Sequence, residues 1–394
     1  MANNQEPRVL IFSTAYLPFI GGAELAIKEI TDRVKNWSFD LITARQDRRL
    51  SKFEKQGNVN IYRLGLGLGF LDKFLLPISG FLKAVRLNKK RNYRFIWSIM
   101  ASQAGIAAVY FKLFYPAKKI LLTIQEGDPE EYLKRYVLNI EFLYKIFIRP
   151  WHLLPFRRAD YITVISADLK ERVIRSGAKC PIETVPNGVS LKNFKINNLR
   201  ETDERQESEL KLKLGVKTNE KVIITVSRLV KKNAVDDLIK AGQYLDLPFK
   251  ILIIGQGKDE QKLKSLVEKL KFKNKVIFLG YIKHLDLPQY LSISDVFVRP
   301  SLSEGLGNAF LEAMAVGLPV IGTPVGGIPD FLKERETGLF CEPGNPKSIA
   351  LKIKEILSDN ELKERIIKNG KKLIFEKYDW ESIALKMEEI FKKL

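Results

Sequence analysis

The sequence predicts an α/β protein made of two Rossmann-like domains that face each other across a cleft. Three observations carry this expectation. Short β-branched runs alternate with amphipathic helical segments, the pattern of a parallel sheet covered by helices. The alternation occurs twice, in two series separated by a charged stretch at 191–220 that is almost free of aromatic residues. A chain of 394 residues, 45% of them hydrophobic, is also too long for one ordinary core.

The first series of strand candidates is "VLIFS", "FDLIT", "FIWSIM", "KILLTI" and "YITVIS", lying between Val9 and Ser166, each followed by polar or helical sequence. The stretch "LKNFKINNLRETDERQESELKLKLGVKTNE" reads as a linker followed by a surface helix. The second series is "KVIITVS", "FKILIIG", "NKVIFLG", "DVFVRP" and "PVIGT", with "LFCEP" as a short edge strand. Helical segments without a further strand follow, ending in "WESIALKMEEIFKKL". The expected organisation is an N-terminal domain over 1–190, a linker and surface helix over 191–218, a C-terminal domain over 219–375 and a helix over 376–394 that returns toward the N-domain. Sheets of this kind bind ligands at the C-terminal ends of their strands.

Several classes are disfavoured. The two cysteines, Cys180 and Cys341, are far apart and in no metal-ligand or redox spacing, so both read as packing residues. The N-terminus passes almost at once into a strand-like run and shows no signal-peptide pattern. The most apolar stretch, "LGLGLGFLDKFLLPISGFL", is interrupted by Asp72 and Lys73 and broken by Gly and Pro, so no membrane span is expected. A cytoplasmic location, with a peripheral position at the inner membrane face as one option, follows as an expectation. Net charge is +20, and residues 51–119 hold thirteen Lys and Arg against two acids, Glu54 and Asp72. Three readings of this excess stand: solubility, an anionic membrane surface, or nucleic acid. No nucleic-acid motif is present, and the cations are interleaved with Phe, Leu and Ile instead of being spaced as a recognition helix.

The stretch "RPSLSEGLGNAFLEAMAVGLPVIGTPVGGIPDF" carries the chemistry. It falls between two strand candidates, so Ser301 to Gly307 should form the loop at a strand's C-terminal end and Ala309 to Val316 a helix of about two turns. Asn308 is a suitable N-cap, Gly317 a suitable terminator, and Pro319 closes the element. The amides of Gly305, Leu306, Gly307 and Asn308 would then present a positive helix end to a phosphate or sugar oxygen. Glu304 and Glu312 are eight positions apart, about 80° around one helix, so they read as separate acceptors for hydroxyls on different parts of one ligand. The plainer alternative makes Glu304 a helix cap and Glu312 a solvated side chain.

With its Glu, seven residues, Glu spacing, this stretch resembles the signature of the family 4 retaining glycosyltransferases of the GT-B fold. Other features of that family occur in order: "GGAE" at 21–24, "PNGV" at 186–189 and "VSRLVKKNAVDDLIKA" at 226–241. The resemblance spans essentially the whole chain and is strongest in its C-terminal half. It implies a nucleotide-sugar-binding C-domain and an acceptor-binding N-domain. It implies that Arg228 and a lysine, Lys231 or Lys232, contact the donor diphosphate, that Glu312 holds the ribose hydroxyls and that Glu304 meets the transferred sugar. Gly21 and Gly22 would let the backbone approach the diphosphate, although a Gly pair before a helix is alone only a turn.

Two departures from the family pattern stand out. The lysine commonly precedes a glycine, and here Asn233 and Ala234 occupy the matching positions. Where many members carry a histidine after the strand reading "LLTIQEGDP", this chain has Gln125, which can bind a sugar hydroxyl but cannot take a proton. Gln125 and Asp128 are assigned to the acceptor side. The two histidines, His152 and His284, read as structural or surface residues. The resemblance implies a front-face retaining mechanism in which the leaving phosphate takes the acceptor's proton. No obligatory metal or other cofactor is expected, since "EGD" at 126–128 only imitates an acidic metal motif.

The expected protein is a hexosyltransferase using a UDP-, GDP- or ADP-linked sugar and a lipid-linked or polysaccharide acceptor, as in bacterial-type surface polysaccharide or glycolipid synthesis. It binds no nucleic acid on this reading. The alternatives are a nucleotide-sugar epimerase of the same fold and a basic nucleic-acid-binding protein.

Overall fold

The computed structural model describes residues 6–19, 21–127, 130–194 and 203–394. The chain divides into two units: Met1–Asn187 together with Trp380–Leu394, and Gly188–Asp379.

The first unit is built on eight strands: β1 (Arg8–Phe12), β2 (Ser38–Ala44), β3 (Phe53–Gln56), β4 (Val59–Leu64), β5 (Phe95–Ile99), β6 (Ile120–Ile124), β7 (Tyr161–Val164) and β8 (Ile182–Thr184). Their order across the sheet is β3-β4-β2-β1-β5-β6-β7-β8. The ladders are parallel except for the hairpin of β3 with β4. The five strands expected here form as read. The structure adds β3, β4 and β8, and the reason they escaped is physical. No residue of β3 or β8 is buried, and β4 carries Asn60 and Arg63 among its apolar residues, so none shows a continuous hydrophobic run. Arg63 is nonetheless buried, because its guanidinium donates to Glu54 and to the Leu17 carbonyl, both at 2.8 Å.

The apolar stretch after β4 folds as a helix, Phe70–Asn88, with Pro77 inside it. Asp72 fixes its start: the buried carboxylate accepts from the amides of Leu66, Gly67 and Leu68 at 2.6–2.9 Å and so ties the glycine-rich loop to the helix. The last helix, Trp380–Lys393, repeats buried residues at 380, 383, 384, 387, 390 and 391, a single apolar stripe. That stripe packs into the first unit's core. Phe391 lies 5.2–6.3 Å, centroid to centroid, from the rings of Trp37, Phe39, Phe95 and Trp97.

The second unit contains β9 (Lys221–Val226), β10 (Phe249–Ile254), β11 (Val276–Gly280), β12 (Val296–Arg299), β13 (Val320–Gly322) and β14 (Leu339–Phe340). All six were legible as strands. They form a parallel sheet in the order β11-β10-β9-β12-β13-β14. The chain steps outward from β9 to β11 and then returns to place β12 on the other side of β9. The winding therefore reverses between β9 and β12, and the loops leaving those two strands flank one crevice. Cys341 is buried beside β13, where burial pushes its thiol up to about 12, and it serves packing as expected. Short helices Leu191–Phe194 and Asp203–Lys213 precede the sheet. Among the described residues, no helix is long and apolar enough to cross a membrane.

All four tryptophans belong to the first unit, so their fluorescence reports its unfolding. Phe391→Ala removes the ring on which four aromatic neighbours converge and is expected to cost that unit about 3–5 kcal/mol. Denaturant unfolding followed by tryptophan fluorescence measures this. A change below about 1 kcal/mol would show that the terminal helix is not integral to the core.

Candidate active site

The site begins with the register of two neighbouring strands. β12 pairs with β9 through Val296 with Ile223 and Phe297 with Ile224, so both chains leave the sheet side by side. After β9, Arg228 is exposed, Leu229 is buried as an anchor, and Lys231–Asn233 form a 3-10 turn. Lys231 is exposed and Lys232 half-buried. Ala234 closes the turn with φ +48°, a left-handed conformation that favours glycine. This accounts for the glycine commonly found there. Asn233 is 1% exposed and braces the turn from within: its Nδ2 donates to the Arg228 carbonyl at 2.6 Å, and its Oδ1 accepts from Arg299 Nη2 at 3.2 Å.

The second loop, Ser301 to Gly307, is tied to the first by the Leu302 amide, which donates to the Lys232 carbonyl at 2.7 Å. Glu304 forms an ion pair with Arg299, side chains 14% and 12% exposed, and its Oε1 accepts from the Gly305 amide at 3.1 Å. Gly305 therefore does not present a vacant amide, because the neighbouring carboxylate takes it. Glu304 neither caps the helix nor stands in solvent. Its backbone passes so close to Gly326 that a Cβ there would sit 1.8 Å from the Glu304 carbonyl oxygen, and Gly326 has φ +55°. Only glycine fits this crossing.

The following helix is Asn308–Val316, with Gly317 in left-handed conformation at its end. Asn308 is its first residue and not its N-cap. Gly307, at φ +92°, takes the N-cap position and turns the chain into the helix one residue early. Leu306 buries its side chain, leaving its backbone for any ligand. The helix is buried almost all round, and Glu312 is its one charged residue. A buried carboxylate requires a partner, and His284 supplies it: Nε2 donates to Glu312 Oε1 at 2.8 Å, while the imidazole lies 5.3 Å from the Phe194 ring. His284, expected as a structural or surface residue, is half-buried and serves as the hydrogen-bond partner of the Glu312 carboxylate, a contact the sequence reading did not foresee. Its only signal in the sequence was its place in a loop directly after a strand. The solvated alternative for Glu312 also falls.

In the first unit, Gly21 is the N-cap of the helix Gly22–Arg33, and its amide donates to Glu24 Oε2 at 2.9 Å. Gln125 Oε1 accepts from Asn187 Nδ2, of "PNGV", at 3.0 Å. Asp128 lies outside the described residues. His152 Nδ1 is 3.2 Å from the Ala101 carbonyl. Among the described residues, no group of three His, Cys, Asp or Glu side chains has the geometry to hold a metal ion.

Residues 20–193 match the family described as Glycosyltransferase Family 4, and residues 206–373 match Glycosyl transferases group 1. The chain is 34% identical over 245 residues to an uncharacterized glycosyltransferase of Methanocaldococcus jannaschii, a match spanning 61% of this chain and 62% of that protein. Among solved structures, sucrose-phosphate synthase from Thermosynechococcus elongatus superposes with a TM-score of 0.82 at 21% identity, covering 99% of both chains. Anabaena HepE in complex with UDP-glucose superposes with a TM-score of 0.76 at 20% identity, covering 98% of this chain and all of that one.

Arg299→Ala is expected to destabilise the second unit by about 3–5 kcal/mol, because it leaves the Glu304 carboxylate largely buried without its cation. The double variant with Glu304→Gln should recover part of this loss. A double-mutant cycle read by denaturant unfolding and circular dichroism measures the coupling, and additive effects would contradict the pairing.

Proposed function

We propose that this chain, which belongs to the family 4 glycosyltransferases of the GT-B fold, transfers a hexose from a nucleotide-sugar donor to an acceptor hydroxyl with retention of anomeric configuration. The observation that carries the reading is the convergence of opposite charges at one switch point: Arg228 and Lys232 after β9, Glu304 and Glu312 after β12. Cations suit a diphosphate and carboxylates suit hydroxyls, so the loops together match a nucleotide sugar better than either ligand alone.

Arg228 and Lys232 bind the diphosphate and neutralise it as the bond to the sugar breaks. Lys232 is favoured over Lys231 because its own carbonyl anchors the Glu304 loop. Glu312 accepts from the ribose hydroxyls, and His284 holds one carboxylate oxygen so that the other keeps a fixed direction. Glu304, oriented by Arg299, accepts from a hydroxyl of the transferred sugar. The backbone of Leu306, Gly307 and Asn308 completes the donor site, and Gly21 and Gly22 are proposed as further diphosphate contacts. The leaving phosphate accepts the acceptor's proton, since Gln125 cannot act as a base and is engaged by Asn187. UDP-glucose on the similar Anabaena protein supports a nucleotide-diphosphate sugar, with UDP, GDP or ADP as the carrier. The acceptor is a growing polysaccharide or a lipid-linked sugar met at the inner face of an anionic membrane, which the cation excess of residues 51–119 supports. No metal is required on this reading, because two side-chain cations face the developing charge.

Arg228→Ala and Glu312→Ala should each weaken donor binding by about 1.5–3 kcal/mol in calorimetric titration. Glu304→Gln should leave donor affinity near wild type and lower kcat. Unchanged donor affinity in the Arg228 variant would overturn the assignment, and conversion of a nucleotide sugar without any acceptor would identify an epimerase. Transfer should also survive excess EDTA. Activity lost to EDTA and restored by magnesium or manganese would instead assign the carboxylates of "QEGDPEE" to a metal.

A further inference from the structure

We infer that a cavity in the first unit, at the C-terminal ends of β5 and β6, holds the aliphatic chain of a membrane lipid that carries the acceptor. The inference rests on the transferase reading above and specifies its acceptor. The cavity measures about 360 Å³, within the range of ligand sites. Its walls include Met100, Ile106, Ile124, Ile148, Phe156 and Val173. Ser102, Gln103, Glu126, Tyr132, His152 and Arg172 also line it, but apolar side chains make up most of the wall, so a sugar would leave hydroxyls unpaired along that part while a hydrocarbon fills it without such a loss. Two of the polar groups present bind the cavity's own loops. His152 lies against the Ala101 carbonyl, and Arg172 Nη1 donates to the Glu126 carbonyl at 3.4 Å. At the volume of a solvent-sized group, the space accepts roughly ten methylenes.

The cavity opens through side chains that are themselves exposed. Phe74, Phe147 and Trp151 line it while 45% to 59% of their surface faces solvent. Phe147 is set there by a π-helical turn, Tyr144–Ile148, an irregularity common at functional sites. From this opening an apolar face runs along the helix Phe70–Asn88. Leu71, Leu75, Ile78 and Leu82 recur at helical spacing and are 48% to 62% exposed, while Leu76, Gly80 and Ala84 cover the opposite, buried face. A helix with two apolar faces has a second partner.

Charge selects that partner. Arg86, Lys89 and Lys90 are exposed at the end of this helix, and its only acid, Asp72, is turned inward onto the loop amides. Arg91 is committed to Asp40 and lies outside this set. Apolar residues beside unpaired cations suit an anionic bilayer. A second copy of the chain would set like charges against each other. Lying on the bilayer, the face brings the aromatic opening to the level of the acyl chains, and one chain enters.

The four tryptophans make the test selective: Trp37, Trp97 and Trp380 are at most 2% exposed, and Trp151 alone is at the surface. With the full chain and vesicles of phosphatidylcholine mixed with phosphatidylglycerol, both with brominated acyl chains, fluorescence should be quenched. Trp151→Phe should abolish the quenching. Occupancy is read separately with dansyl-undecanoate in solution without vesicles. One equivalent should bind, Ala101→Phe should weaken it about tenfold or more, and joint replacement of Arg86, Lys89 and Lys90 by Ser should spare it while abolishing vesicle binding. Ile106→Phe provides a second cavity-filling variant should the first not fold. Probe affinity unchanged in a folded cavity variant overturns the proposal, as does a dimer in light scattering that hides Trp151 and prevents quenching. Nucleotide-sugar binding separates the failures. Intact donor binding without probe binding rejects the cavity alone, and transfer only to water-soluble acceptors rejects the lipid acceptor on which it rests.

Discussion

Arg299 ends β12 with a guanidinium held almost entirely out of water, and the two loops of the candidate site are arranged around it. Its Nη2 serves both partners, meeting the Glu304 carboxylate and donating to Asn233 Oδ1. Through Asn233 the link reaches the Arg228 carbonyl, so the residue proposed to meet the transferred sugar and the residue proposed to meet the diphosphate are braced by one cation. A buried cation is unfavourable alone. Here the sheet pays for it by placing two acceptors within reach, and the arrangement has few other solutions once Gly326 brings a second chain against Glu304.

This bracing bears on chemistry. A retaining transfer in which the leaving phosphate takes a proton depends less on a strong base than on fixed charges that already point where negative charge develops. Both carboxylates of the site are held by cation or imidazole donors, Glu304 by Arg299 and Glu312 by His284. Each keeps accepting capacity while losing rotational freedom, which is the preorganisation such a reaction requires. The apolar, basic face of the first unit is proposed to serve a separate need. An acceptor drawn from a membrane reaches the enzyme as a two-dimensional search once the protein lies on that membrane.

Much of this was legible in the residues. Strands β9 and β10 of the second unit are nearly continuous apolar runs buried on both faces, and such runs can be read without a structure. The glutamate spacing placed Glu304 in a loop and Glu312 in a helix, where both are found. Edge strands β3 and β8 were not readable because no residue in them is buried. The partners of the site were hidden for another reason. Asn233 and Arg299 are 66 residues apart, and His284 and Glu312 are 28 apart, so each pairing exists only once the sheet has brought its loops together. Asn233 and Ala234, where the family commonly has a lysine followed by glycine, looked like a departure, and Asn233 has a role of its own. It is a buried bracket, and the left-handed backbone that favours glycine lies one residue on, at Ala234.

The central claim is that the loops after β9 and β12 form one cradle for a nucleotide sugar. Hydrogen exchange over 227–234 and 301–308, measured with saturating UDP-, GDP- and ADP-sugars in turn, tests it most directly. The account predicts that one carrier slows exchange in both segments together, with stabilisation of about 2.7 kcal/mol at a hundredfold excess over its Kd. Protection of one segment alone, or of neither with any of the three, would contradict it.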